Sequence, residues 1–196
     1  METGFYFSKS LFIRKEIWYQ NNGKIDGLHQ KYEAYKAIFE KIDNLMILSK
    51  NNVINIENID KFCDMLLDIQ NNFSKEFSYI KPCDQSFSIK NDLGQTGFYK
   101  KFGDISTKIK NNLLSTKLNS KPDYVKNLSK MITKTRDIEL IFSNKNLKKE
   151  DSEKLREKKI LISMFFYNTV FKLTMQDMKD LTLRFLKKKL LSFEDK

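Results

Sequence analysis

Residues 160–173, ILISMFFYNTVFKL, form the most apolar run in the chain, and their reading decides the fold. The run has no polar face of any width, and a helix that is hydrophobic nearly all round is a buried one. At 14 residues, interrupted by Asn168, Thr169 and Lys172, it is too short and too polar to span a bilayer. Ile160–Leu173 is therefore expected to be a central buried helix, with other helices packed on several of its sides.

Composition agrees with a helical chain. Only 6 Gly and 2 Pro occur in 196 residues, too few for the turns of an all-β fold. An apolar fraction of 40% with 16 Phe is enough to bury a large core. The length suits one domain, residues 1–196, with residues 1–22 either packed on it as a helix or serving as an N-terminal helical arm that docks on a partner.

Helical periodicity recurs along the chain. A first helix is expected over about 8–20, with Leu11, Phe12, Ile13, Ile17 and Trp18 on one side. A second runs over about 27–49, through Leu28, Tyr32, Tyr35, Ile38 and Ile42, with Asp26 as its cap. A third covers about 57–77, with Asn55 or Asn58 as its cap. Residues 78–96 read as a long connection, either a crossover or a stretch holding one short helix. Helices follow over about 98–118 and 123–142, with Pro122 where a helix start tolerates it. The last region, about 151–193, is one long helix or two. A break near Leu173–Thr174 is expected because Thr174 and Asp177 resemble a capping box. The fold expectation is all-α, a single helical bundle of five to six helices around the central one.

The formal charge of +11 is uneven. Residues 1–100 carry 13 basic and 13 acidic side chains, whereas residues 101–196 carry 23 and 12. Such asymmetry suits an acidic partner. It also suits a codon bias towards Lys, Asn and Ile, since only 4 of the 36 basic residues are Arg. The start of the chain lacks the pattern of a secretory signal and no segment has 18 consecutive apolar residues, so a soluble, cytoplasmic location is expected. Cys63 falls on an apolar helix face and reads as a small core residue.

No motif points to a catalytic constellation, and neither metal nor cofactor is expected. The single histidine, His29, excludes the paired Glu-x-x-His ligands of di-metal bundles and the usual four-ligand zinc sites. Phosphate-binding glycine loops are absent, and Gly94-Gln95-Thr96-Gly97 lacks the strands that give such a loop meaning. Asp60, Asp64 and Asp68 stand four apart and line one helix face. Lys126, Lys130 and Lys134 make a basic row of the same spacing, and Lys187, Lys188 and Lys189 a second basic cluster. The acidic and basic rows could face each other, within the bundle or between subunits.

These observations favour a non-catalytic interaction or regulatory protein, with a protein partner or a second copy as its ligand. The alternative is a sequence-tolerant nucleic-acid binder using the basic half. An enzyme assembled from scattered Asp, Glu, Lys and Tyr residues ranks third.

Overall fold

In a computed structural model of the chain, residues 4–6, 12–20, 24–82, 121–147 and 152–194 are described. The fold is all-α. Helix α1 spans Lys15–Tyr19, α2 Leu28–Lys50, α3 Ile56–Glu76, α4 Lys121–Phe142 and α5 Ser152–Phe165. A π-helical segment, Phe166–Phe171, leads without a break into α6, Lys172–Glu194. The expected helix over 98–118 and most of the connection over 78–96 lie outside the described residues.

The start of the chain departs from expectation. Strand β1, Gly4–Tyr6, pairs antiparallel with β2, Phe12–Arg14, in the register Phe5 opposite Ile13. Helix begins only at Lys15, so the helix expected from Ser8 is shortened to one turn and a half. Aromatic and β-branched residues fit a pleated ribbon better than a helix. Trp18 in α1 is buried, and the Gln20 side chain donates to the Leu181 carbonyl at 2.7 Å, which ties α1 to α6.

Side-chain contacts give the helix directions. Tyr35 stacks on Tyr124, Asp43 pairs with Lys134, and Asn144 donates to the Ser49 carbonyl at 2.8 Å, so α2 and α4 run parallel. Gln30 meets Glu76 across α2 and α3, which run antiparallel. Lys158 pairs with Asp60 near the start of α3, and Lys159 with Glu139 near the end of α4. The rod made by α5, the π segment and α6 is thus parallel to α3 and antiparallel to α2 and α4. The core between these rods contains Tyr35, Ile38, Ile42, Phe62, Leu66, Tyr124, Met131, Phe165 and Leu173.

Local chemistry explains the ends. Asn55 accepts from the Asn58 backbone N–H, and the Asn58 side chain accepts from the Asn55 N–H, a reciprocal cap on α3. Asp26 does not cap α2. That place is taken by Gly27 in the left-handed region at φ 61°, with no side-chain cap. A Cβ at Gly27 would lie 2.4 Å from the Phe77 ring, so the position requires glycine twice over.

The last rod corrects two expectations. It is continuous through Leu173–Thr174, with the irregularity one turn earlier as the π segment. Buried residues Phe165, Thr169, Leu173, Asp177 and Leu181 repeat every four positions. An α-helix turns every 3.6 residues, so a strict four-residue repeat drifts round the rod. Wider π turns absorb the drift and keep the repeat facing the core. Nor is Ile160–Leu173 buried all round. Ile162, Phe165, Thr169, Val170 and Leu173 face inward, while Ile160, Met164, Tyr167 and Phe171 are exposed.

Candidate functional site

Two features of the last rod stand out, on opposite faces. Inward, Asp177 lies in a buried polar cluster drawn from three helices. Lys31 Nζ of α2 meets Asp177 Oδ1 at 2.6 Å, and the Tyr124 hydroxyl of α4 donates to Asp177 Oδ2 at 2.7 Å. Side-chain exposure is 0% for Lys31 and 4% for Asp177. The Lys31 ammonium also sits 4.8 Å from the centre of the Phe77 ring, and Tyr35 stacks on Tyr124 with ring centres 5.7 Å apart.

The electrostatics follow from enclosure. Burial raises the Asp177 carboxyl above its ordinary range, against the pull of the Lys31 ammonium and the hydrogen bonds from Lys31 and Tyr124. Burial also pushes up the hydroxyls of Tyr35 and Tyr124, helped at Tyr35 by the Asp177 charge and at Tyr124 by Tyr35 and then Asp177. Both phenols stay protonated at neutral pH, which makes Tyr124 a donor to Asp177. With both carboxylate oxygens engaged and enclosed, Asp177 has no atom left for a substrate. What the cluster can do is fix position: it pins the rotation of α6 about its own axis against α2 and α4. Thr174 supports it from the same turn, its hydroxyl donating to the Val170 carbonyl at 2.8 Å. The Thr174/Asp177 pair thus serves packing and not a helix start.

Outward, the rod carries an apolar stripe. Ile160, Met164, Tyr167, Phe171, Met175, Leu183, Leu186 and Leu190 are all exposed, Tyr167 at 66% and Leu190 at 64%. Their spacing of three, four and eight places them along one side of the rod, opposite Asp177 and Leu181. Tyr167 and Phe171 stack on each other, ring centres 5.8 Å apart. Among the described side chains of α6 Leu181 is the last that is buried, and the stripe continues past it beside the exposed Arg184, Lys187, Lys188 and Lys189. Trp18, by contrast, is buried, and the first helix offers no comparable patch among its described residues.

The acidic row is placed at the contact of α3 with α5. Asp60 pairs with Lys158 at 2.6 Å. Partial cover raises the carboxyls of Asp64 and Asp68; Lys158 opposes this at Asp64, and the Asp64 charge adds to it at Asp68. The basic row lies elsewhere. Lys134 pairs with Asp43 at 2.6 Å and Asp137 at 3.1 Å, and Lys130 and Lys134 lie over the Phe39 ring. Within one copy of the chain, then, the two rows do not meet. Lys126 and Lys130 are exposed on α4, whereas Lys187, Lys188 and Lys189 are on the end of α6.

Cys63 is buried, which raises its thiol to about 12. No group of three His, Cys, Asp or Glu side chains is arranged to hold a metal among the described residues. No described helix is long and apolar enough to cross a membrane. No protein-family model, curated protein or solved structure matches this chain.

Proposed function

We propose that the chain is a non-catalytic interaction protein working through the outer face of its last rod. The observation that carries this reading is the exposed stripe from Ile160 to Leu190. Its eight side chains are 36–66% exposed, and together they leave several hundred Å² of largely apolar surface in water. The largest apolar patch on an ordinary monomer is roughly 300–600 Å². The buried cluster on the opposite face fits this role, because it holds the stripe outward.

The test is the size of the native species in extracts of the source cells. Wild type should elute well above its 23.3 kDa. A Tyr167→Glu, Leu186→Glu variant should elute as a monomer with an unchanged helical melt. Elution of both as monomers overturns the proposal.

A second reading, phosphate tracking along nucleic acid, draws on the exposed Arg184, Lys187, Lys188 and Lys189. Its signature is an affinity falling log-linearly with salt, weakened further by Lys187→Glu, Lys188→Glu, Lys189→Glu. Absence of binding at low salt removes it.

A further inference from the structure

We propose that the last rod is jointed. Its π segment, Phe166–Phe171, holds one residue more than an unbroken α-helix needs and lets α6 open apart from α5. The Lys31–Asp177 pair is the catch that holds α6 shut.

Three observations carry this. The first is register. Seven residues bring an α-helix back to the same face within about 20°. In α5, Leu155 and Ile162 are buried seven positions apart, and in α6 so are Thr174 and Leu181. Across the π segment the step is eight, from Phe165 to Leu173. An i→i+5 turn in place of an i→i+4 turn takes up one residue. Each half thus packs as a plain α-helix, in registers one residue apart. Were the same residues wound as α-helix throughout, Lys172, Gln176 and Asp180 would take the inward places of Leu173, Asp177 and Leu181. Burying those polar groups opposes rotation in place, so α6 either stays shut or opens.

The second is anchorage, which divides at the joint. Helix α5 is held to α3 by Lys158 and Asp60 at 2.6 Å, and to the end of α4 by Lys159 and Glu139 at 2.7 Å. Helix α6 is held to α2 by Lys31 and Asp177 at 2.6 Å, and to the start of α4 by the Tyr124 hydroxyl at 2.7 Å. Gln20, just after α1, donates to the Leu181 carbonyl at 2.7 Å.

The joint itself is the third. The Thr169 hydroxyl is buried within it without a hydrogen-bond partner. Where the segment ends, the Lys172 N–H donates to the Thr169 carbonyl, three residues back, so a wide turn adjoins a tight one. Helices kink at such places.

The test is hydrogen exchange of the purified full-length chain, read by mass spectrometry on peptides from α5 and α6 across a urea series. Wild type should show two openings. Exchange in α6 should be faster by roughly tenfold or more and less dependent on urea, because a local opening exposes less surface than global unfolding. One common rate and urea slope for both helices overturns the joint. Lys31→Met should speed exchange in α6 by on the order of 100-fold, since it strands the Asp177 carboxylate. An unchanged α6 in that variant overturns the catch. Deletion of Asn168 should let the rod run as plain α-helix in the registers it already packs, and α6 should then exchange as slowly as α5. Continued separate opening of α6 places the hinge elsewhere and overturns the proposal. Deletion of Lys179, exposed within α6, moves Leu181 out of register and should lower the melting temperature, whereas deletion of Asn168 should not. Two deletions that melt alike, both below wild type, overturn the one-residue insertion.

Discussion

Lys31 and Asp177, 146 positions apart in the chain, meet at 2.6 Å with almost no exposure to solvent. A buried ion pair of this kind adds little net stability, because desolvating both charges offsets their attraction. Its effect is on which arrangement is populated: only one rotation of α6 brings Asp177 to both Lys31 and Tyr124. Removing one partner is therefore far costlier than removing all. Lys31→Met should destabilise the fold by about 3–5 kcal/mol in urea unfolding, by stranding a buried carboxylate. The triple change Lys31→Met, Tyr124→Phe, Asp177→Leu should recover most of that loss. In Lys31→Met the loss should also shrink in acid. The Asp177 carboxyl is raised by burial, so its favourable contribution is present at low pH and disappears as pH rises through its folded value. Equal destabilisation at pH 4 and pH 7 would show that the carboxylate is not enclosed.

Two threonines five positions apart should respond with opposite signs. Thr174 is buried and its hydroxyl bonds the Val170 carbonyl, whereas the Thr169 hydroxyl is buried without a partner among the described residues. Thr174→Val should lower stability by about 1 kcal/mol. Thr169→Val, of the same shape, should raise it by about 1 kcal/mol, since an unpaired buried hydroxyl is removed. Thermal melts of the two single variants check this directly. A loss of stability in both would mean that Thr169 finds a partner in solution.

Gly27 links the start of α2 to the buried cluster. It has a positive φ and touches Phe77, whose ring lies over the Lys31 ammonium. Gly27→Ala should cost about 1–2 kcal/mol for the left-handed backbone alone, and more as Phe77 gives way. Gly27→Asn, with a side chain that tolerates this conformation, would share the steric part but lose less to the backbone. Denaturation midpoints that rank Ala at or above wild type would remove the argument.

The helices α2, α3 and α4 are legible from periodicity alone, and the Asn55 cap from residue type. Each depends on neighbours three or four positions away. The buried cluster depends on residues 53 and 146 positions apart, which no local pattern reports. A signal existed at Lys31, which stands four before Tyr35 and seven before Ile38 on the apolar stripe of α2, yet a lysine there is easily counted with the solvated face. Thr174 and Asp177 have capping spacing, and only the continuity of the rod shows that no helix begins there. The reading of Ile160–Leu173 as buried all round fails for a different reason. Hydrophobicity measures what a helix would gain from burial, and Tyr167 and Phe171 have that tendency while remaining exposed.

Asp68 offers a pH test of the α3 surface. Partial cover and the neighbouring Asp64 raise its carboxyl, so ionising it is less favourable in the fold than in the unfolded chain. The sign follows: a raised carboxyl contributes stability below its unfolded value, and that contribution is lost as pH rises through the folded one. At pH 7 the ionised Asp68 therefore holds stability down, and Asp68→Asn should melt higher than wild type. Towards pH 3 both forms are neutral at this position and the two melting curves should converge. Asp60→Asn should behave in the opposite way at neutral pH, since Asp60 holds Lys158 at 2.6 Å and its loss leaves that ammonium, only 12% exposed, without its carboxylate. Melts of the two variants from pH 3 to pH 7 separate the roles within one acidic row. An Asp68→Asn chain that melts below wild type at pH 7 would show that the row acts as one cation-holding unit, with Asp68 contributing its charge to Lys158.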